Sequence, residues 1–139
     1  MKTCKLFLLI AATLFAAACE DILDTDLSPA ERLEGRWKVD EDNQLKTTDD
    51  FYEVYIDIDP VDSNTILISG FYDIHNGSAY ATISGFTLNM PTQDVEGFSL
   101  RGSATISVNY KQMNWLYYVD DGRGEWTEVR AIYTKIEEY

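Results

Sequence analysis

The side chains in this sequence that bear on chemistry are few, and most lack the neighbours that chemistry needs. Asp57, Asp59, Asp62 and Asn64 gather hard oxygen atoms at one point of the chain, and Ca²⁺ takes roughly six to eight such oxygens. Their spacing has neither the central glycine nor the closing glutamate of an EF-hand loop, so the reading is a solvated acidic turn and no metal site. His75 is the only histidine. Without a second histidine, a Gly-x-Ser-x-Gly turn or a glycine-rich phosphate loop, neither a transition-metal site nor nucleophilic catalysis has its parts. Pairs of carboxylates can act as acid and base through space, yet among 24 acidic residues their presence selects nothing. The sequence therefore predicts a non-enzymatic protein with no cofactor.

Four aromatic residues, Tyr52, Tyr72, Trp115 and Tyr117, are a different kind of candidate. Each falls on the apolar phase of an alternating stretch, and each combines apolar area with a polar tip that wants a partner. They would line a cavity for a small apolar or amphipathic ligand if the fold encloses one. Otherwise they pack its interior.

Both cysteines lie near the start. Lys2 and Lys5 precede an apolar run, Leu6-Phe7-Leu8-Leu9-Ile10, that continues through alanine and leucine to Ala16-Ala17-Ala18-Cys19. The run is too short to cross a bilayer comfortably, which takes roughly 20 apolar residues. It has the charged, apolar and small-residue parts of a secretory signal, and residues 1–18 are expected to be cleaved. A cysteine directly after the small residues resembles the lipobox of bacterial lipoproteins, in which that thiol receives the diacylglycerol. Cys19 is thus the expected lipid-attachment residue, and several buried acyl chains anchor stably where one does not. Residues 19–28, with Glu20, Asp21, Asp24 and Asp26, read as an acidic tether reaching on the order of 30 Å when extended. Such a stretch behind the cysteine also resembles the export signal of surface lipoproteins in Bacteroidota. The resemblance implies palmitate on Cys19 and a place in the cell envelope, at the outer membrane and surface-exposed.

Losing Lys2 and Lys5 with the leader takes the 11 basic residues to nine against 24 acidic, a formal charge of −15 in place of −13. That field repels nucleic acid and anionic lipid heads. Nucleic acid is excluded as a partner, and membrane contact falls to the lipid. Cys4 leaves and Cys19 is acylated, so no internal disulfide is available. About 120 residues remain, enough for one domain with one core.

Residues 29–139 form that domain. Ser28-Pro29-Ala30-Glu31 has the residues of a capped helix start, and Gly35 ends the helix within a turn or two. From there the hydrophobic period is two, the pattern of half-buried strands. Eight stretches alternate: 36–41, 51–59, 65–74, 79–84, 86–90, 97–108, 114–120 and 125–136. Trp37 and Val39 share the core face of the first, and Tyr52, Val54, Ile56 and Ile58 that of the second. The third offers Ile66, Ile68, Gly70, Tyr72 and Ile74, and the sixth runs from Phe98 to Val108. Asn76-Gly77 suits a type I′ hairpin turn, and Pro91 is expected to close the fifth strand. Short links and no long helical stretch argue for an antiparallel meander, which removes its edges by closing on itself. The expected fold is all-β, an eight-stranded antiparallel up-and-down barrel behind a short N-terminal helix. Its alternative is a two-sheet β-sandwich. Gly70 and Gly102 would mark bends.

A short helix followed by Gly35-Arg36-Trp37 resembles the opening of lipocalins, and Asn64 to Phe71, Ser84 to Leu88 and Arg130 to Lys135 resemble the small lipocalin-like lipoproteins of Bacteroidota. The resemblance implies that Trp37 plugs one barrel end and that Arg130, from the last strand, packs over its ring. It also implies a barrel that takes one small ligand. The sequence thus supports a lipid-anchored envelope module that binds a small apolar ligand or an envelope protein partner, or else a ligand-free structural or interaction domain with a filled barrel.

Overall fold

The chain's architecture, described for residues 27–42 and 51–137 in a computed structural model, begins with the capped helix that the sequence anticipates. The Ser28 hydroxyl accepts from the Glu31 amide at 3.2 Å, and the Glu31 carboxylate accepts from the Ser28 amide at 2.7 Å. With Pro29 in the first turn, this starts α1, Pro29–Leu33. Proline costs nothing there because its missing N–H has no intrahelical partner in any case. Gly35 follows with φ of 128°, and the chain turns into the sheet.

Eight strands follow: β1 (Gly35–Asp42), β2 (Tyr52–Ile58), β3 (Thr65–Ser69), β4 (Ser78–Ser84), β5 (Thr87–Val95), β6 (Phe98–Ile106), β7 (Gln112–Asp120) and β8 (Thr127–Lys135). They pair in sequence order, every pair is antiparallel, and β8 returns to β1 to close the barrel. One closed sheet leaves no place for the two-sheet sandwich. Side chains alternate between a buried inner face and an exposed outer one, most regularly along β1, β2 and β8. Leu33 and Ala30 of α1 are buried against Trp37 and the inner residues, so the helix seals the end where β1 begins. The other end carries the 70–77, 96–97 and 121–126 connections.

Four local expectations change. The third strand stops at Ser69 rather than 74, because Gly70 (φ 84°), Tyr72 (φ 55°) and Asp73 (φ 56°) take left-handed backbone around a 3₁₀ turn, Phe71–Asp73. This resets the alternation, so Phe71 enters the core and Tyr72 stays half-buried. Asn76 has φ of 66° but Gly77 does not follow it, whereas a type I′ turn needs positive φ at both. The pair instead closes a longer loop through Gly70 N–H to the Gly77 carbonyl, 3.4 Å. Pro91 does not end β5. The strand passes through it with a shift of register between Met90 and Gln93, and a bulge is where a missing N–H is tolerated. There the Gln93 side-chain amide pairs with the Tyr80 backbone, 2.9 Å to its N–H and 2.9 Å to its carbonyl, standing in for a peptide group. Finally, β6 ends at Ile106, and Val108 is 82% exposed in the turn that follows.

Gly102 does mark a close approach. A Cβ there would lie 2.5 Å from Tyr117 Cβ and 2.6 Å from the Leu116 carbonyl oxygen, so only glycine lets β6 and β7 meet at that point.

Candidate functional site

The inward phase of β7 places Trp115 and Tyr117 in the barrel, β2 contributes Tyr52 at the loop end, and the 3₁₀ turn brings Tyr72 to the same mouth. The four aromatic candidates thus belong to one neighbourhood, with Phe71 among them. Its ring centroid lies 4.7 Å from that of Tyr117, 5.4 Å from Trp115 and 6.4 Å from Tyr133. Tyr72 meets Tyr117 and Phe98 edge-on at 6.1 and 6.0 Å. Trp115, Tyr117, Tyr133 and Phe71 are buried, whereas Tyr52, Tyr72 and Phe98 are half-buried at the rim. Phe71 therefore occupies the space that a ligand in this aromatic ring would take.

Beside that ring is a residue that the sequence pattern carries but the candidate set omits. Glu41 continues the Trp37, Val39 phase of β1 and turns inward, only 8% exposed. It accepts hydrogen bonds from the Tyr117 hydroxyl at 2.5 Å and from the Tyr52 hydroxyl. The carboxylate thereby ties β1 to β2 and β7. Burial pushes the Tyr52 and Tyr117 phenols well above the usual value, and the neighbouring Tyr133 and Glu41 add to the rise. Tyr133 is raised by burial first and by Glu41 second, and Tyr72 by burial, Glu41 and Asp121. All four remain neutral donors at physiological pH. The Trp115 indole N–H is buried and meets no hydrogen-bond partner among the described residues, and the buried Tyr133 hydroxyl adjoins that of Tyr52. The chemistry on offer is hydrogen-bond donation around one buried carboxylate, in an aromatic setting.

The two residues expected at the barrel end separate. The Trp37 indole N–H donates to the Leu33 carbonyl at 2.8 Å, which locks the ring under α1. Arg130 does not pack over it. Trp37 stands in register with Lys135 of β8, while Arg130 stands opposite Asp42 near the other end, points outward and pairs with Glu128 at 3.3 Å. The cation by the Trp37 ring is the Lys135 ammonium, 5.8 Å from its centroid and bonded to the Arg32 carbonyl at 2.5 Å. Burial lowers the Lys135 pKa. The inward phase Val129, Ala131, Tyr133, Lys135 carried this signal, since it assigns Arg130 to the outer face.

The acidic turn satisfies itself. Asp59 accepts from the Val61 amide at 2.8 Å, and Asp62 from the Asn64 amide at 3.0 Å and the Thr65 hydroxyl at 2.9 Å. Those bonds hold the Asp62 carboxyl below its usual pKa, the Asn64 amide contributing most. No cluster of three or more His, Cys, Asp or Glu suited to a metal ion occurs among the described residues. His75 is exposed in the 70–77 loop. Cys19, the leader and most of the tether lie outside the described residues.

No protein-family model matches the chain, and no curated protein sequence does. The eight-stranded antiparallel barrel is compatible with a lipocalin-like fold.

Proposed function

We propose that this is a lipocalin-like lipoprotein of the cell envelope, anchored through acylated Cys19, whose barrel is a filled, non-enzymatic scaffold that meets its partners with its outer surface. The observation that carries this reading is the position of Phe71. An eight-stranded barrel is just wide enough to be filled by side chains or to hold one small ligand, and Phe71 takes the central place among Trp115, Tyr117 and Tyr133. Inner residues at every level of the wall, Ile56, Ile68, Leu88, Leu100 and Tyr117 among them, are fully buried. The acidic composition keeps the surface off anionic headgroups and leaves the lipid as the membrane contact.

A second reading draws on the rim. Tyr52, Tyr72 and Phe98 are half-buried there, and left-handed Tyr72 and Asp73 hold Phe71 in place at a conformational cost. A small amphipathic ligand that displaced Phe71 would be lined by the same aromatic residues.

Native mass spectrometry of protein purified from its own host separates the two. The filled scaffold gives the mass of the acylated chain alone, and a retained small molecule on the barrel defeats it. Labelling with a palmitate analogue tests the anchor: incorporation that disappears in Cys19→Ala is expected, and unchanged label in that variant removes the envelope assignment.

A further inference from the structure

The outer wall of the barrel is not uniform, and its least typical part is an open groove of about 690 Å³ across β6, β7, β8 and β1. Two cross-strand rows form it. In the first, Ser103 stands opposite Leu116, Leu116 opposite Arg130 and Arg130 opposite Asp42. In the second, Thr105 stands opposite Asn114, Asn114 opposite Ile132 and Ile132 opposite Asp40. Ile132 is 47% exposed and Leu116 half-buried, so an apolar strip runs between hydrogen-bonding flanks. Away from β1 both rows lose charge altogether, continuing through Asn89 and Thr82 and through Thr87 and Ser84. In a chain with 24 acidic residues, an uncharged field across four strands is a departure.

We propose that this groove binds a neutral oligosaccharide. The inference rests on the reading of the outer surface as the recognising face. Ligand sites of this size combine apolar contact with a few placed polar groups, and the inventory decides which ligand. Asp40 and Asp42 only accept, Arg130 only donates, and Asn114, Ser103 and Thr105 do both. Sugar hydroxyls donate and accept, so they satisfy every member of that set, while Leu116 and Ile132 meet the C–H faces of the rings. The strand spacing of about 4.8 Å sets two outward residues of one strand, such as Asn114 and Leu116 of β7, beside each ring of a chain laid across the strands. Other occupants fit less well. An anion is opposed by the net charge of −13 and by the acidic lining residues Asp40, Glu41 and Asp42. A basic peptide finds Asp40 and Asp42 at the β1 side only, with Arg130 opposite Asp42, and the uncharged field beyond offers its other cations no partner. An extended peptide normally adds to a sheet edge, and the closed barrel has none. On the next register position Arg101 lies over the Trp126 and Tyr118 rings at 4.5 and 5.3 Å, which puts a 38% exposed indole beside the groove as a built-in reporter. The other two tryptophans, Trp37 and Trp115, are buried.

The test is a titration of the intact protein with maltotriose, cellotriose, mannotriose and chitotriose, followed by saturation-transfer NMR and by tryptophan emission. Tetralysine and a triuronate serve as the cationic and anionic competitors. At least one neutral trisaccharide is expected to receive saturation and to change the emission. Asn114→Lys should weaken that binding at least tenfold with no change in melting temperature, and Tyr80→Ala, exposed on β4 outside the groove, should leave it intact. Silence from all four neutral sugars overturns the proposal, as does equal binding by Asn114→Lys or preferential binding of tetralysine or the triuronate. These outcomes are independent of the native mass spectrum. A small molecule retained in the barrel defeats the filled-scaffold reading with the groove titration unaffected, and silent sugars with an empty barrel defeat the groove alone.

Discussion

The two ends of this barrel are closed by different means. At the α1 end, Leu33 and Trp37, neighbours in the chain, meet Lys135 from the end of β8, and their polar groups are satisfied by backbone carbonyls of α1. At the loop end, closure is imported. Phe71 comes from a turn with left-handed residues on both sides, and a buried carboxylate, Glu41, is held by tyrosines of β2 and β7. The first end is closed by ordinary strand and helix geometry, whereas the second relies on an aromatic plug, a charge and backbone strain. Polar burial of the second kind stabilises only while every partner stays in place.

That contrast makes the mouth the more sensitive region. Phe71→Ala should produce the largest loss, about 3–5 kcal/mol in urea unfolding, as expected for an aromatic removed from a core. A loss under about 1 kcal/mol would mean that the ring is not the plug described here.

The next effect is a decline in stability at alkaline pH supplied by the mouth, while Lys135 at the α1 end, whose pKa burial lowers, works in the opposite direction. Folded-state phenol pKa values at Tyr52, Tyr117 and Tyr133 are raised, so the folded protein keeps protons that the unfolded chain loses above about pH 10. Their contribution is whole below that pH and is lost as pH rises beyond it. Each phenol supplies a slope of about 1.4 kcal/mol per pH unit. Urea unfolding at pH 9, 10 and 11 should show the decline, shallower by about one phenol's share in Tyr117→Phe and unchanged in slope for Trp37→Phe at the other end. Equal slopes in all three proteins would erase the distinction between the ends.

The smallest effects sharpen the assignment at the α1 end. Lys135→Ala should lower stability by about 0.5–1 kcal/mol through its contact with the indole face. Arg130→Ala should stay within about 0.5 kcal/mol of the parent, as exposed positions do. The reverse order in thermal unfolding would return the ring-covering role to Arg130.

The same contrast explains what could be read from the residues in order. Alternation of apolar and polar residues is a local signal, and it located all eight strands and the inner faces of β1, β2 and β7. Capping chemistry is equally local, which is why Ser28 to Glu31 was legible. The breaks came where local rules compete. Gly70 and Tyr72 fit the alternating pattern of β3 but adopt left-handed backbone, and a residue-type pattern cannot distinguish a strand from a turn that inverts its phase. Pro91 reads as a stop unless a bulge and the Gln93 amide absorb the missing donor. Glu41 sat on the inner phase in plain view. A carboxylate is expected outside unless its partners are known, and here they lie on β2 and β7. The four aromatic candidates meet at one mouth of the barrel, yet whether they surround a space or a side chain depended on Phe71, one residue out of phase.

The position of α1 has a consequence for how the molecule is presented. The chain enters the barrel at its sealed end, beside Leu27 and Ser28. The 70–77, 96–97 and 121–126 loops lie at the opposite end from this entry point. The groove on β6, β7, β8 and β1 is on the side wall between the two ends. A molecule lying across the cell surface could reach it without passing over the top of the barrel.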